Sequence, residues 1–124
     1  LHINLDQFTD AVPAISKAMD YAFSGDPGKG GFLLLAHEEK ELAGALVMNA
    51  TGMAGYVPEY LLVYIAVGPE HRGQGIGGKL IQRALELCQG EVALHVEYDN
   101  PASRLYKRMG FTSKYAEMRW TREA

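Results

Sequence analysis

The sequence is short of several things, and each shortage removes a class of function. Its single cysteine, Cys88, cannot close an internal disulfide. The chain is therefore no disulfide-stapled scaffold, and the thiol, on the apolar stripe of a predicted helix, reads as a core residue. No apolar run approaches the ~20 residues that cross a bilayer; the longest runs from Tyr60 to Val67. No signal-peptide pattern opens the chain, so the expectation is a cytoplasmic protein with no membrane partner. A formal net charge of -3 gives no general attraction for phosphate backbones, and nucleic acid is not an expected partner. His2, His37, His71 and His95 are scattered, no His/Cys/Asp/Glu group has metal-ligand spacing, and no metal is expected. Neither a Gly-x-Ser-x-Gly elbow nor a P-loop occurs. Lys79 follows a glycine turn without the Gly-Lys-Ser/Thr arrangement and reads as a solvated helix residue or an outer phosphate contact.

What is present fits one α/β domain of mixed α+β type over residues 1–124. Leu1 to Asn4 can form a first strand, and Asp6 or Thr9 can cap a helix whose apolar residues, Phe8, Val12, Ile15, Ala18, Met19 and Ala22, keep helical spacing until Ser24-Gly25-Asp26-Pro27-Gly28. Gly31 to His37 and Leu42 to Met48 read as an antiparallel pair joined by the charged run Glu38-Glu39-Lys40-Glu41, a solvated connection. Tyr60 to Val67, bounded by Pro58 and Gly68-Pro69, reads as a buried central strand. Gly75 or Gly77 to Cys88 follows as an amphipathic helix with Ile76, Leu80, Ile81, Ala84, Leu85 and Cys88 inside. Val92 to Val96 suggests another strand. Asn100-Pro101 opens a second helix, Gly110 closes it, and Phe111 to Trp120 suggests one or two last strands.

The chemistry concentrates at Arg72-Gly73-Gln74-Gly75-Ile76-Gly77-Gly78. A strand running into a glycine turn and then a helix builds an anion site, because the helix start leaves N–H groups unpaired and carries partial positive charge. Glycines let the backbone approach the anion and Arg72 adds a fixed cation. A plain tight turn would use the same glycines, but the buried strand before, the arginine within and the amphipathic helix after favour a phosphate or pyrophosphate. Gly73-x-Gly75-x-x-Gly78 also matches a dinucleotide fingerprint, with Glu97 about where a ribose-binding acid would lie. Against it stand the insert from Gly68 to His71, the antiparallel strands before the motif, and the little chain left after Glu97.

Taken together, Tyr64-Ile65-Ala66-Val67-Gly68-Pro69-Glu70-His71-Arg72-Gly73-Gln74-Gly75-Ile76-Gly77 resembles the cofactor-binding segment of the GNAT superfamily of N-acetyltransferases. Asn100-Pro101-Ala102-Ser103-Arg104-Leu105-Tyr106-Lys107-Arg108-Met109-Gly110-Phe111 resembles that family's following segment, in which a helix carries a tyrosine and ends in Gly-Phe. The detailed likeness runs from Tyr60 to Phe111. It implies a single GNAT-like domain with a mixed, mostly antiparallel, V-shaped sheet flanked by helices, splayed between Tyr60–Val67 and Val92–Val96, with acetyl-CoA in the gap. The pantetheine arm would pair with main-chain groups of Ile65 and Val67 like an added strand, with Ala66 between them also a cofactor-binding candidate. The irregular stretch after Val67 suits a terminal bulge that aims these groups outward. The pyrophosphate would lie on Arg72 to Gly78, with Asn100, Ser103 and Tyr106 also near the cofactor.

The resemblance further implies acetyl transfer to a primary amine. The Ile65 N–H is the candidate for polarising the thioester carbonyl, and Tyr106, with an ordinary pKa of ~10, the candidate for protonating the departing thiolate. Helical spacing of Ala102, Leu105, Tyr106 and Met109 is equally that of a core aromatic. Where some relatives place a basic glutamate this chain has Leu61; Glu59, two residues earlier, is either a solvated acid at the strand end or a base acting directly or through water. The acceptor is a small amine, polyamine or peptide: the short stretch between Tyr21 and Phe32 suggests an open acceptor side, and Glu59 and Glu70 favour cations modestly. A homodimer is compatible with the family. The alternative function is a non-catalytic acyl-CoA-binding or sensing module.

Overall fold

The computed structural model describes residues 30–123, together with Phe23. The first expected strand, the first expected helix and its glycine-rich stop lie outside the described residues. Strand β1 (Gly31–Glu38) pairs antiparallel with β2 (Glu41–Ala50), β2 pairs antiparallel with β3 (Tyr60–Val67), and β3 pairs parallel with β4 (Val92–Ala93). The sheet order is β1-β2-β3-β4. Helix α1 (Ile76–Leu87) and helix α2 (Ala102–Arg108) follow β3 and β4 respectively. This is the mixed, mostly antiparallel sheet with flanking helices expected. No helix among the described residues is long and apolar enough to cross a membrane.

The helical period of α1 decides where the core sits. Ile76, Leu80, Ile81 and Ala84 form one stripe, which packs on Leu46 and Met48 of β2 and Leu62 of β3. Gly44 belongs to this contact for a steric reason: a Cβ there would fall 2.9 Å from the Ala66 carbonyl oxygen and 3.1 Å from Leu80 Cδ1. Ile81 is fully buried, and removing its side chain beyond Cβ would cost about 2–5 kcal/mol.

Four expectations change. The bulge lies inside β3 rather than after it, because Val47 opposes Tyr64 while Met48 opposes Leu62, leaving Val63 as the extra residue. The all-apolar run from Tyr60 to Val67 has no alternation for a bulge to interrupt, so no sequence signal marks it. The hairpin connection is only Glu39 and Lys40, with Glu39 at φ 56°; Glu38 and Glu41 are paired strand ends. The expected strand Val92 to Val96 pairs over two residues only, Tyr60 with Val92 and Leu61 with Ala93, since β3 and the chain after Ala93 then part. Residues 111–123 form no strand. Tyr115, Met118 and Trp120 are exposed, and the local contacts are side-chain ones, Arg119 with Glu117 and the Arg122 guanidinium 4.6 Å from the Trp120 ring centre. Strand-like composition does not by itself make a strand, and among the described residues this segment pairs with none.

Candidate functional site

The gap between β3 and the chain after β4 is shaped by backbone register. Antiparallel pairs alternate between hydrogen-bonded and non-hydrogen-bonded. Gly68 N–H donates to the Ala43 carbonyl at 2.7 Å, so in the register Gly44↔Val67 to Val47↔Tyr64 the bonded pairs are Ala45–Ala66 and Val47–Tyr64. Main-chain groups of Ile65 and Val67 therefore point away from β2, toward the side where β4 has ended. Before the bulge, Thr51 N–H donates to the Glu59 carbonyl, which by the same alternation turns Tyr60 and Leu62 to that side. Val63 thus re-phases the strand, so that Tyr60 and Leu62 at one end and Ile65 and Val67 at the other share an orientation. Their side chains all pack on the α1 side of the core. Ala66, between Ile65 and Val67, has the opposite orientation: its main chain pairs with Ala45, and its side chain is buried.

Past Val67, a 3-10 turn (Pro69–His71) leads into Arg72 and the glycines. Gly73 and Gly75 adopt φ 80° and 77°, the left-handed region that only glycine enters without strain. A Cβ at either would meet nothing within 4 Å, so conformation rather than crowding requires glycine, and the space above the turn is open. Gly75 caps α1 with no side-chain hydrogen bond, and the first helical bond from beyond it is Lys79 N–H to the Gly75 carbonyl at 3.0 Å. The amides of Ile76, Gly77 and Gly78 precede that bond and have no intrahelical acceptor. Arg72 Nε donates to the Val67 carbonyl at 3.4 Å, tying the turn to the end of β3. Gly77 serves packing as well: a Cβ there would lie a tight 3.3 Å from Leu105 Cδ2, whereas one at Gly78 would make ordinary contact, 3.8 Å from Leu105 and Met109. Two glycines make the turn and Gly77 admits α2.

Helix α2 begins where Asn100 Oδ1 accepts the Ala102 N–H at 2.9 Å and Ser103 N–H donates to the Asn100 carbonyl at 3.0 Å. It ends in a Schellman cap: Phe111 N–H donates to the Tyr106 carbonyl and Gly110 N–H to that of Lys107, with Gly110 at φ 99°. The apolar contact that accompanies such a cap is here Phe111 against Tyr106, ring centres 6.0 Å apart and edge-on at 64°. The Gly-Phe ending thereby fixes the ring of Tyr106. Burial pushes the Tyr106 hydroxyl above its ordinary pKa, which keeps it a proton donor at neutral pH. Tyr106 also packs on the core cluster, as its core reading expects.

Glu59 is engaged in structure. Its Oε2 accepts the Glu91 N–H at 2.7 Å, and its carboxyl is held below the usual range by amide donors, Glu91 first and then its own N–H, with a lesser contribution from Gly55. It presses on Gly90, where a Cβ would fall 2.7 Å from Glu59 Cδ. A carboxylate held so is a weaker base than an ordinary one.

Sequence spacing did not reveal a cluster beside the turn. His71 Nδ1 lies 2.7 Å from Glu38 Oε2 and its Nε2 3.3 Å from Glu41 Oε2, with the imidazole only 12% exposed. Pairing with Glu38 raises the His71 pKa; burial opposes this and Glu41 adds to it. The expectation that no metal-type residues gather is corrected to this extent: ligand atoms of Glu41, Glu70 and His71 come within 4.8 Å of one another. Imidazole–carboxylate ion pairing accounts for Glu41 beside His71.

Comparison with known proteins shows the family. The model of the acetyltransferase (GNAT) family matches residues 1–111. N-alpha-acetyltransferase 30 of Schizosaccharomyces pombe is 31% identical over 85 residues, 64% of this chain and 57% of that protein. Mycothiol acetyltransferase of Corynebacterium aurimucosum is 35% identical over 89 residues, 60% of this chain and 29% of that protein. The chain thus spans little more than half of one relative and under a third of the other. Aminoglycoside N-acetyltransferase AAC(6')-Iy, solved in complex with CoA, superposes with a TM-score of 0.65 over 97% of this chain and 94% of that one at 16% identity, a likeness of fold. The chain described here belongs to the GNAT acetyltransferase family.

Proposed function

We propose that residues 1–124 form one domain that moves an acetyl group from acetyl-CoA to a primary amine. The observation that carries this is the pairing of two features: Ile65 and Val67 turn main-chain groups into the gap left by β4, and that gap leads to open glycines at the start of α1. These residues fit the cofactor. Amides of Ile76 to Gly78 and the Arg72 guanidinium suit a diphosphate, and Ile65 and Val67 suit the amides of a pantetheine arm.

Bound acetyl-CoA supplies an activated thioester. The Ile65 N–H donates to the carbonyl oxygen as charge builds there. Tyr106, kept protonated by burial, gives its proton to the sulfur as the C–S bond breaks and the C–N bond forms. The amine's surplus proton leaves to solvent, and Glu59 holds the Glu91 loop against the start of β3 rather than removing that proton. The relatives named above support an amine acceptor, either a peptide amine or a small molecule.

The test is calorimetry with acetyl-CoA followed by CoA-release assays over peptide, polyamine and aminoglycoside amines. Binding with turnover, reduced about 10²-fold or more in Tyr106→Phe with CoA affinity retained, is the expected result. Binding without turnover on any amine would instead mark a sensing module, and unaltered turnover in Tyr106→Phe would remove the acid role.

A further inference from the structure

The charged end of the β1–β2 hairpin is built into the phosphate turn. Glu38, the last residue of β1, receives His71 on Oε2 at 2.7 Å. In the amide orientation that pairs donors with acceptors, Gln74 also donates to both oxygens of Glu38, at 3.1 Å for Oε2. One carboxylate therefore brackets Arg72 and Gly73 from both sides. Glu41, the first residue of β2, closes on the other nitrogen of the same imidazole, and Glu70 lies within 4.8 Å of both. Among the described residues, the charged groups facing His71 are thus Glu38 from β1, Glu41 from β2 and Glu70 from its own turn. The ring is mostly shielded from solvent, so its charge is felt locally.

This arrangement sets a conflict. Glu38, Glu41 and Glu70 place three carboxylates beside a turn proposed to hold a diphosphate, and Arg72 offsets only one of them. A protonated His71 offsets a second and keeps both hairpin carboxylates clasped; a neutral His71 can donate to only one of them. We propose that His71 is a positioning residue for the cofactor turn, and that its charge, held between Glu38 and Glu41, links CoA binding to proton uptake. This rests on the assignment of the turn to the CoA diphosphate.

The direction of the linkage is fixed by sign. The folded pKa of His71 is raised, so the clasp is complete below the ordinary histidine value and is lost as pH rises through the raised one. An anion bound nearby raises that pKa further, and reciprocally CoA affinity falls as the free protein loses the proton. CoA's own phosphate titrates near the acid end of this range, so the readout is a comparison with a variant sharing the ligand and lacking the imidazole.

The experiment is CoA calorimetry on the full chain at about pH 6 and about pH 9, for the wild type and His71→Gln. Wild-type Kd is expected to weaken roughly fivefold more than that of His71→Gln across the range, the size of a partly screened charge contribution. Buffers of different ionisation enthalpy should report greater proton uptake near neutral pH in the wild type than in His71→Gln, the excess being the imidazole's share over that of the shared CoA phosphate. Should His71→Gln not fold, Glu38→Gln takes its place: the His71 titration followed by NMR should move toward about 6.5, and the break in affinity should move with it. Equal pH ratios in wild type and variant, with CoA still bound, would overturn the linkage and leave the cofactor assignment standing. No CoA binding at either pH would overturn the assignment of the turn, and the linkage with it.

Discussion

Replacing Gly75 by alanine isolates what the turn demands of the backbone. Gly75 sits at φ 77°, ψ 13°, and an added methyl group would meet nothing within 4 Å, so no clash enters the cost. What remains is the penalty for an L-residue in the left-handed region, about 1–2 kcal/mol, together with the weaker capping of alanine relative to glycine. The amides of residues 76–78 stay aimed at the open side only while residue 75 holds this conformation, so the CoA-bound protein carries the whole cost. Its stability should fall by about 1–2 kcal/mol, a factor of roughly 5–30 in the folding equilibrium. The free protein can escape part of this by relaxing the turn, and whatever it escapes returns as weaker CoA binding. Asparagine tolerates the left-handed region better, so Gly75→Asn should recover part of the loss. The assay is urea unfolding with and without saturating CoA, alongside calorimetry. If Gly75→Ala matched the wild type within about 0.3–0.5 kcal/mol in both states, with unchanged CoA affinity, the turn would not depend on this conformation and the reasoning would be refuted.

Gly77→Val should cost about 1–3 kcal/mol in unfolding experiments, because a Cβ already falls 3.3 Å from Leu105 Cδ2 and two further methyl groups must push α2 away. Phe111→Ala should cost about 1–2 kcal/mol and lower turnover more than CoA affinity, since it removes the edge-on contact that fixes the Tyr106 ring; equal losses in kcat and CoA binding would contradict that division. Glu59→Gln should leave the pH profile of turnover unchanged while lowering stability, as its carboxylate serves the Glu91 N–H. Because the Glu59 pKa is lowered on folding, that contribution is present above the unfolded value and lost as pH falls through the folded one. The variant's stability deficit should therefore shrink in acid, and a turnover profile made flat by the substitution would restore Glu59 as the base.

The parts of the fold legible in the sequence are those whose signals are local. Gly75 before the stripe Ile76, Leu80, Ile81 and Ala84 marks the start and face of α1 without any knowledge of its neighbours. Asn100-Pro101 and Gly110-Phe111 bracket α2 in the same way, and the structure adds only that Phe111 rests on Tyr106. What was not legible depends on distant partners. Leu94, His95 and Val96 have strand-like neighbours in sequence but lie beyond the point where β3 and β4 part. Tyr115 to Trp120 has the composition of a strand but pairs with no strand among the described residues. The Val63 bulge decides which main-chain groups enter the gap, yet it sits in a run apolar on both parities. The Glu38–His71 contact joins residues 33 apart in sequence, and a charge run at a hairpin tip gives no hint of which histidine folds back onto it.

The central claim is that alternate residues of β3 face opposite ways after the bulge, and that those facing the gap hold the cofactor. Amide hydrogen exchange read residue by residue during an acetyl-CoA titration tests it most directly. Ile65, Val67 and the amides from Ile76 to Gly78 should gain protection on binding, while Tyr64 and Ala66, already bonded to β2, should not change. Protection arising at Tyr64 and Ala66 instead, or no change at any of these amides with acetyl-CoA at millimolar concentration, would contradict it.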